Sequence, residues 1–156
     1  MVARTTSRTG AAARSLALVV ALLVSIFVPL HATAGEMTRR ERVHVLTNEV
    51  REDHDRQRLG FVDRLARYAK RHSRAMADRG YLFHSDGSAL QKVLAAYDWS
   101  IGGENVGVGS DVESIQNAFM RSKPHRKNIL RSGYDHMAVG IVRQDNRLWV
   151  TVIFYG

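Results

Sequence analysis

The sequence predicts an α/β domain in which helices cover both faces of a central antiparallel sheet, a three-layer α/β/α sandwich. Helical periodicities fill the middle of the chain, and two strand-like runs close it. The second run, Leu148 to Phe154, is apolar on both faces. A sheet with two apolar faces has to bury both, and the preceding helices are the elements available to cover them.

Residues 1–34 have the pattern of a secretory signal peptide. Arginines precede an apolar stretch from Leu16 to Leu30, and Ala32-Thr33-Ala34 supplies a small-x-small cleavage site. An uncleaved membrane anchor is the alternative, but the stretch is shorter than the roughly 20 residues of a spanning helix. The prediction is a leader followed by a domain of residues 35–156, secreted to the extracellular space or cell envelope and lacking an integral membrane span.

Capping signals and apolar spacing predict five helices, which begin near Thr38, Asp63, Ser88, Ser110 and Pro124. The first starts at a capping box, Thr38 to Glu41, in which hydroxyl and carboxylate each satisfy a free backbone amide. Ser110 to Glu113 has the form of a second capping box. Gly80 is placed to end the second helix, and Ser122 to cap the fifth.

The closing runs, Met137 to Val142 and Leu148 to Phe154, are joined by Asp145-Asn146, a turn signal that predicts a hairpin. On the last strand, Trp149, Thr151 and Ile153 alternate with Val150, Val152 and Phe154. The glycine-rich segment from Trp99 to Gly109 predicts a turn and a short strand.

Charge and cysteine content limit the function classes. The chain has 23 lysines and arginines against 15 aspartates and glutamates, and no cysteine. Thiol catalysis, cysteine-ligated zinc and a disulfide scaffold are therefore excluded. A basic exported protein favours anionic envelope polymers or lipid head groups over nucleic acid as partners. Because the basic residues are scattered along the helices, ordinary solvated charge is the favoured interpretation.

Three residues are candidates for metal ligation or proton transfer: His84 after Phe83, Glu104 after two glycines, and His125 after Pro124. Their wide separation differs from the local spacing of zinc fingers, so folding would have to bring them together. Two interpretations fit. Two imidazoles hold zinc, with the carboxylate behind them or acting as a base on bound water, or all three hydrogen-bond and tie three loops together. Spacing alone favours the second.

Several motifs along residues 43–156 follow one another in the order of a known family: Asn48-Glu49-Val50-Arg51, Gly80-Tyr81-Leu82-Phe83-His84, Gly103-Glu104-Asn105-Val106, Ser122 to Leu130, Met137-Ala138-Val139-Gly140-Ile141 and Trp149-Val150-Thr151. In this ordered set the chain resembles a bacterial member of the CAP superfamily, the SCP-like extracellular domain. That superfamily includes cysteine-rich secretory proteins, antigen 5 and plant pathogenesis-related proteins.

The resemblance implies an α/β/α sandwich with a central antiparallel sheet and a cleft that holds two histidines and two acids. His84, Glu104 and His125 match three of those positions. In metal-bound members the two histidines ligate a divalent cation, often zinc. Ser122 stands where the family carries a second acid, so Glu104 would have to serve alone in any acid–base catalysis.

The resulting expectation is a non-catalytic binding module, with a divalent cation such as zinc on His84 and His125. A lipid or cell-envelope ligand would occupy the same cleft, beside Glu104 and Ser122. The alternative is a metal-dependent hydrolase of peptide or envelope material, with Glu104 as its catalytic base.

Overall fold

Five helices and four strands make up the part of the chain that the computed structural model describes, Met1 and residues 37–156. The helices are α1 (Arg39–Glu52), α2 (Asp63–Arg79), α3 (Gly87–Leu94), α4 (Val112–Arg121) and α5 (Lys123–Ile129). The strands are β1 (Gly60–Phe61), β2 (Gly102–Gly109), β3 (His136–Gln144) and β4 (Arg147–Tyr155). The predicted signal peptide and the start of the predicted domain lie outside the described residues.

The strands form one sheet in the order β1-β3-β4-β2. β4 lies at its centre and pairs antiparallel with both β2 and β3. The β3–β4 hairpin turns at Asp145 and Asn146, whose φ angles of 49° and 58° suit the two-residue turn that matches strand twist. The sequence did not indicate β1, which adds a short parallel pair with β3.

Alternate residues of β4 bury opposite faces of the sheet, which confirms the predicted α/β/α sandwich. Val150, Val152 and Phe154 pack against residues of α1, α4 and α5. Trp149 and Ile153 pack on the other face, against residues of α2 and α3. Among residues 37–156, none of the helices is long and apolar enough to cross a bilayer.

The predicted ends of the first two helices are confirmed. Thr38 and Glu41 form the capping box, with the Glu41 carboxylate 2.7 Å from the Thr38 amide. Gly80 ends α2 with a φ of 74°, in the left-handed region that glycine adopts freely. α3 ends at Leu94, short of the predicted Tyr97, because the chain there turns so that Tyr97 packs on Tyr155.

The second predicted capping box is wrong. Asp111 is the N-cap of α4 and accepts a hydrogen bond from the Ser114 amide at 2.7 Å, while Ser110 donates its hydroxyl to Asp111. Glu113 does not reach back to the cap, because its carboxylate binds Arg42 at 2.8 Å. A contact between distant helices therefore replaces the local pairing that the sequence suggested.

Arg51 connects the end of α1 to the end of α5. Its side chain is fully buried and donates to the backbone carbonyls of Gln57, Ile129, Arg131 and Tyr134. The last carbonyls of a helix have no donor within the helix. Here the Arg51 guanidinium supplies a donor to the Ile129 carbonyl at the end of α5. Arg51 therefore fixes the position at which α5 ends.

Gly140 allows α2 to lie directly on β3. A Cβ atom at this position would overlap the backbone of Ala69 and Lys70. We expect Gly140→Ala to lower the free energy of unfolding by about 1–3 kcal/mol, since a packed helix has to move away from the sheet. Gly87→Ala is the matched control, because nothing lies within 4 Å of its added methyl group. Urea denaturation of both variants checks this, and equal unfolding midpoints would contradict it.

Candidate functional site

The site is built around the first residues of β2. Only glycine fits at position 103, because the Tyr134 hydroxyl occupies the place that a Cβ atom would take. The Asn128 side-chain oxygen lies 3.2 Å from that place. This close approach brings the loop before β3, and α5, against the strand. Glu104 follows immediately, and only 6% of its side chain is exposed. A carboxylate so placed requires hydrogen-bond donors.

Three donors from the loop after α2 satisfy the Glu104 carboxylate. Its Oε1 accepts from Nδ1 of His84 and from the Ser85 amide, both at 2.9 Å. Its Oε2 accepts from the Ser85 hydroxyl at 2.5 Å. Both carboxylate oxygens are therefore engaged, and the loop that carries His84 is fixed to the sheet.

The pairing with Glu104 also sets the orientation of the His84 ring. Because a carboxylate accepts hydrogen bonds, we assign the proton of the neutral imidazole to Nδ1, which leaves Nε2 with a free lone pair. The His84 side chain is 60% exposed. The ring thus presents an unprotonated nitrogen on the side away from the buried carboxylate.

Two asparagines fix α5 against β2. The Asn128 amide donates to the backbone carbonyl of Glu104 at 3.1 Å and to the side-chain oxygen of Asn105 at 2.9 Å. Asn105 in turn donates to the backbone carbonyl of His125 at 3.1 Å. These bonds tie the first turn of α5, and with it His125, to the strand that carries Glu104.

His125 is half-buried and lies edge-on to Phe119, with ring centroids 5.0 Å apart. Burial lowers the pKa of its imidazole, and the positive charge of a protonated His84 lowers it further. At neutral pH His125 is neutral, which is the state in which an imidazole binds a metal.

An apolar recess of about 230 Å³ lies beside His125. It is lined by Leu82, Val106, Gly107, Val108, Ile115, Ala118, Phe119, Ser122 and His125. Ser122 is the N-cap residue of α5, as predicted, but its hydroxyl makes no capping hydrogen bond. Ser122 is both the C-cap residue of α4 and the residue before α5. Its backbone amide donates to carbonyls of α4.

The structure thus brings His84 and Glu104 into direct contact and places His125 and Ser122 together in the recess. His125 is held through its backbone, not through a side-chain bond to Glu104. Among residues 37–156, no cluster of three or more histidine and acidic groups is arranged to hold a metal ion. Any cation in the cleft would therefore rely on imidazole nitrogens, with the carboxylate behind them.

Sequence reasoning missed the supporting residues. Ser85 donates twice to Glu104, through its backbone amide and its hydroxyl, and nothing in the sequence indicated that role. Asn105 and Asn128 lie within the family-like motifs, and the sequence did not predict that they bond to each other. One signal was available in the sequence: Asn105 lies next to Glu104, and Asn128 lies three residues after His125. A buried side-chain amide needs hydrogen-bond partners, and a second amide can supply them.

Comparison with known proteins places these features in a family. Residues 45–154 match the family model described as "CAP: Cysteine-rich secretory protein family". The uncharacterized protein YkwD of Bacillus subtilis (strain 168) is 30% identical over 114 residues, which cover 70% of this chain and 44% of that protein. The chain spans less than half the length of the curated relatives that it matches.

Solved structures show the same fold. An extracellular protein containing a SCP domain from Bacillus anthracis superposes with a TM-score of 0.66 at 25% identity, over 75% of this chain and 40% of that one. NaASP2, whose structure was determined with Zn2+, superposes with a TM-score of 0.53 at 11% identity, over 77% of this chain and 80% of that one. The second likeness concerns the fold alone.

The lowered pKa of His125 predicts a pH dependence of stability. As the pH falls, the unfolded chain takes up a proton near pH 6.5, before the folded protein does. The stabilisation is therefore complete above about pH 6.5 and is lost as the pH falls through the lower folded-state pKa. In His125→Gln this contribution is absent, so its unfolding free energy should decline less between pH 8 and pH 5. Urea titrations at each pH test this, and parallel curves for the two proteins would rule it out.

Proposed function

Because the chain belongs to the cysteine-rich secretory protein (CAP) family, we propose that it is a secreted binding module whose cleft holds a divalent cation between His84 and His125. The observation that carries this proposal is the hydrogen bond from Nδ1 of His84 to the buried Glu104 carboxylate. Metal-binding histidines commonly donate their second nitrogen to such an acceptor, which fixes the ring and raises the basicity of the ligating nitrogen.

The donor set fits zinc or a similar divalent ion. His84 offers Nε2, and His125 is neutral at physiological pH because of its burial. Two imidazoles with open positions for water or a ligand suit a borderline cation such as zinc. When bound, the cation would supply Lewis acidity for holding an anionic group of a ligand. Glu104 would keep His84 in position without ligating the ion itself.

The apolar recess beside His125 supports a second part of the proposal. Its volume of about 230 Å³ suits a short apolar segment of a ligand, and its lining is mostly aliphatic and aromatic. A lipid or envelope component with a polar head would place that head at the histidines and its apolar part in the recess. The predicted signal peptide is consistent with a ligand met outside the cytoplasm.

The contacts of Glu104 disfavour the alternative of a hydrolase. A general base needs a carboxylate oxygen within hydrogen-bond reach of the water that it activates. Both oxygens of Glu104 already accept hydrogen bonds from His84 and Ser85, and the side chain is almost completely buried. Ser122, at the position where the family carries a second acid, supplies no carboxylate to replace it.

Titration calorimetry with zinc tests the cation site. We expect His84→Ala and His125→Ala each to weaken zinc binding by roughly tenfold or more, and Glu104→Gln by roughly 10- to 100-fold through the lost orientation of His84. His136→Ala is the matched control, because His136 also pairs with a carboxylate, that of Asp135, but on a different part of the sheet. Its zinc affinity should equal that of the parent protein.

Unchanged affinity in both cleft variants would remove the cation from the proposal. Incubation of the zinc-loaded protein with a peptide and peptidoglycan library separates the two functions. The binding module predicts no turnover. Turnover that Glu104→Gln abolishes would establish the hydrolase instead.

A further inference from the structure

A basic groove lies between α1 and α2, on the β3 side of the sheet. It consists of two adjoining recesses of about 470 Å³ and 320 Å³, which share Arg67 and Lys70. The cationic side chains that line them are Arg39, Arg40, Arg67, Lys70, Arg71, Arg74 and Arg143. The apolar residues between them are Ala66, Ile141, Val142 and Leu148.

Most of these charges have no acidic partner in the described part of the chain. Arg40 is paired with Asp63 at 3.0 Å. Arg74 and Arg143 bind the neutral amides of Gln144 and Asn146. Arg39, Arg67, Lys70 and Arg71 form no ion pair within 4.0 Å among residues 37–156. The groove therefore carries a large excess of positive charge, bounded on one side by Asp111 and Glu113 in the neighbouring recess.

Folding produces this concentration of charge. Arg67, Lys70, Arg71 and Arg74 recur at spacings of three and four, so they share one face of α2. The open side of β3 lies between that face and the start of α1, because β1 pairs only with His136 and Met137. Basic residues that are scattered along the chain thus line a single groove.

The shape and composition of the groove indicate its ligand. Arg67 and Arg74 are about 10 Å apart along the helix axis, so one phosphate cannot reach both ends. Six of the seven cations are arginines, whose planar forks match phosphate oxygens. The apolar floor suits the uncharged carbons between successive phosphates. No aromatic residue lines either recess, so the groove lacks the platforms on which nucleic-acid bases stack.

We propose that this groove binds a linear polyol phosphate polymer of the cell envelope. Its concave form favours a chain over the flat surface of a bilayer. The groove is separate from the proposed cation site, which lies at β2 and α5, toward the opposite edge of the sheet. This proposal does not depend on the cation in the cleft, and either can fail without the other.

Fluorescence anisotropy with labelled poly(glycerol phosphate) tests the proposal on the purified protein. The groove variant combines Arg67→Gln, Lys70→Gln and Arg74→Gln, all at exposed positions. We expect it to raise Kd roughly tenfold or more and to reduce the slope of log K against log salt by roughly two to three, as each phosphate contact contributes about one.

The matched control removes the same charge from a second basic recess, on α4 and α5. It combines Arg121→Gln, Lys123→Gln and Lys127→Gln, which line a cavity of about 360 Å³. Binding within roughly twofold of the parent protein is expected, since overall charge acts weakly through screening salt. Equal losses in both triple variants would show attraction to net charge alone and overturn the proposal.

Two further measurements complete the test. Replacing Arg67, Arg71 and Arg74 by lysine keeps the charge and helical propensity but removes the forks, so binding should weaken to an intermediate level. Full affinity in that variant would refute phosphate recognition by arginine. Tighter binding to phosphatidylglycerol vesicles or to a single-stranded oligonucleotide than to the polymer would also overturn the proposal. Orthophosphate should not compete at equal phosphate concentration.

Discussion

The hydrogen bonding of the Glu104 carboxylate is the interaction on which the site depends. A buried anion is costly unless donors surround it, and His84 and Ser85 supply three. Satisfying the carboxylate therefore also orders the loop after α2 and sets the His84 ring. The backbone of the same residue accepts from Asn128, which places α5 and His125. One glutamate thus positions two histidines from separate segments. Its contacts suit a positioning residue and not a catalytic base.

The sequence predicted those elements whose signals are local. The Thr38 capping box, the glycine that ends α2 and the alternating faces of β4 depend on residues a few positions apart, and the structure confirms them. Prediction failed where a distant partner decided the outcome. Glu113 binds Arg42 instead of the cap of α4. The buried Arg51 donates to carbonyls of α5 and of the following loop. β1, two residues long, is visible only once β3 is in place.

The candidate site shows the same division. His84, Glu104 and His125 stand out in the sequence by residue type and by their glycine, proline and aromatic neighbours, and the contact between His84 and Glu104 is present. The supporting role of Asn128 needs the close approach of α5 to β2, which Gly103 permits. Charge behaves similarly, because helical periodicity gathers arginines on one face of α2 that the linear sequence shows as dispersed. Contacts between distant segments determine the chemistry of the cleft, whereas the groove combines the local periodicity of α2 with cations from α1 and β3.

If Glu104 orients His84 as proposed, the imidazoles of His84 and His125 face a common ligand position. A crystal structure of the zinc-soaked protein, with anomalous scattering recorded at the zinc edge, tests this most directly. We expect one zinc peak bonded to Nε2 of His84 and to a ring nitrogen of His125, at about 2.0–2.1 Å, while Nδ1 of His84 keeps its bond to Glu104. Zinc bonded to the Glu104 carboxylate, or no peak between the two histidines, would contradict it.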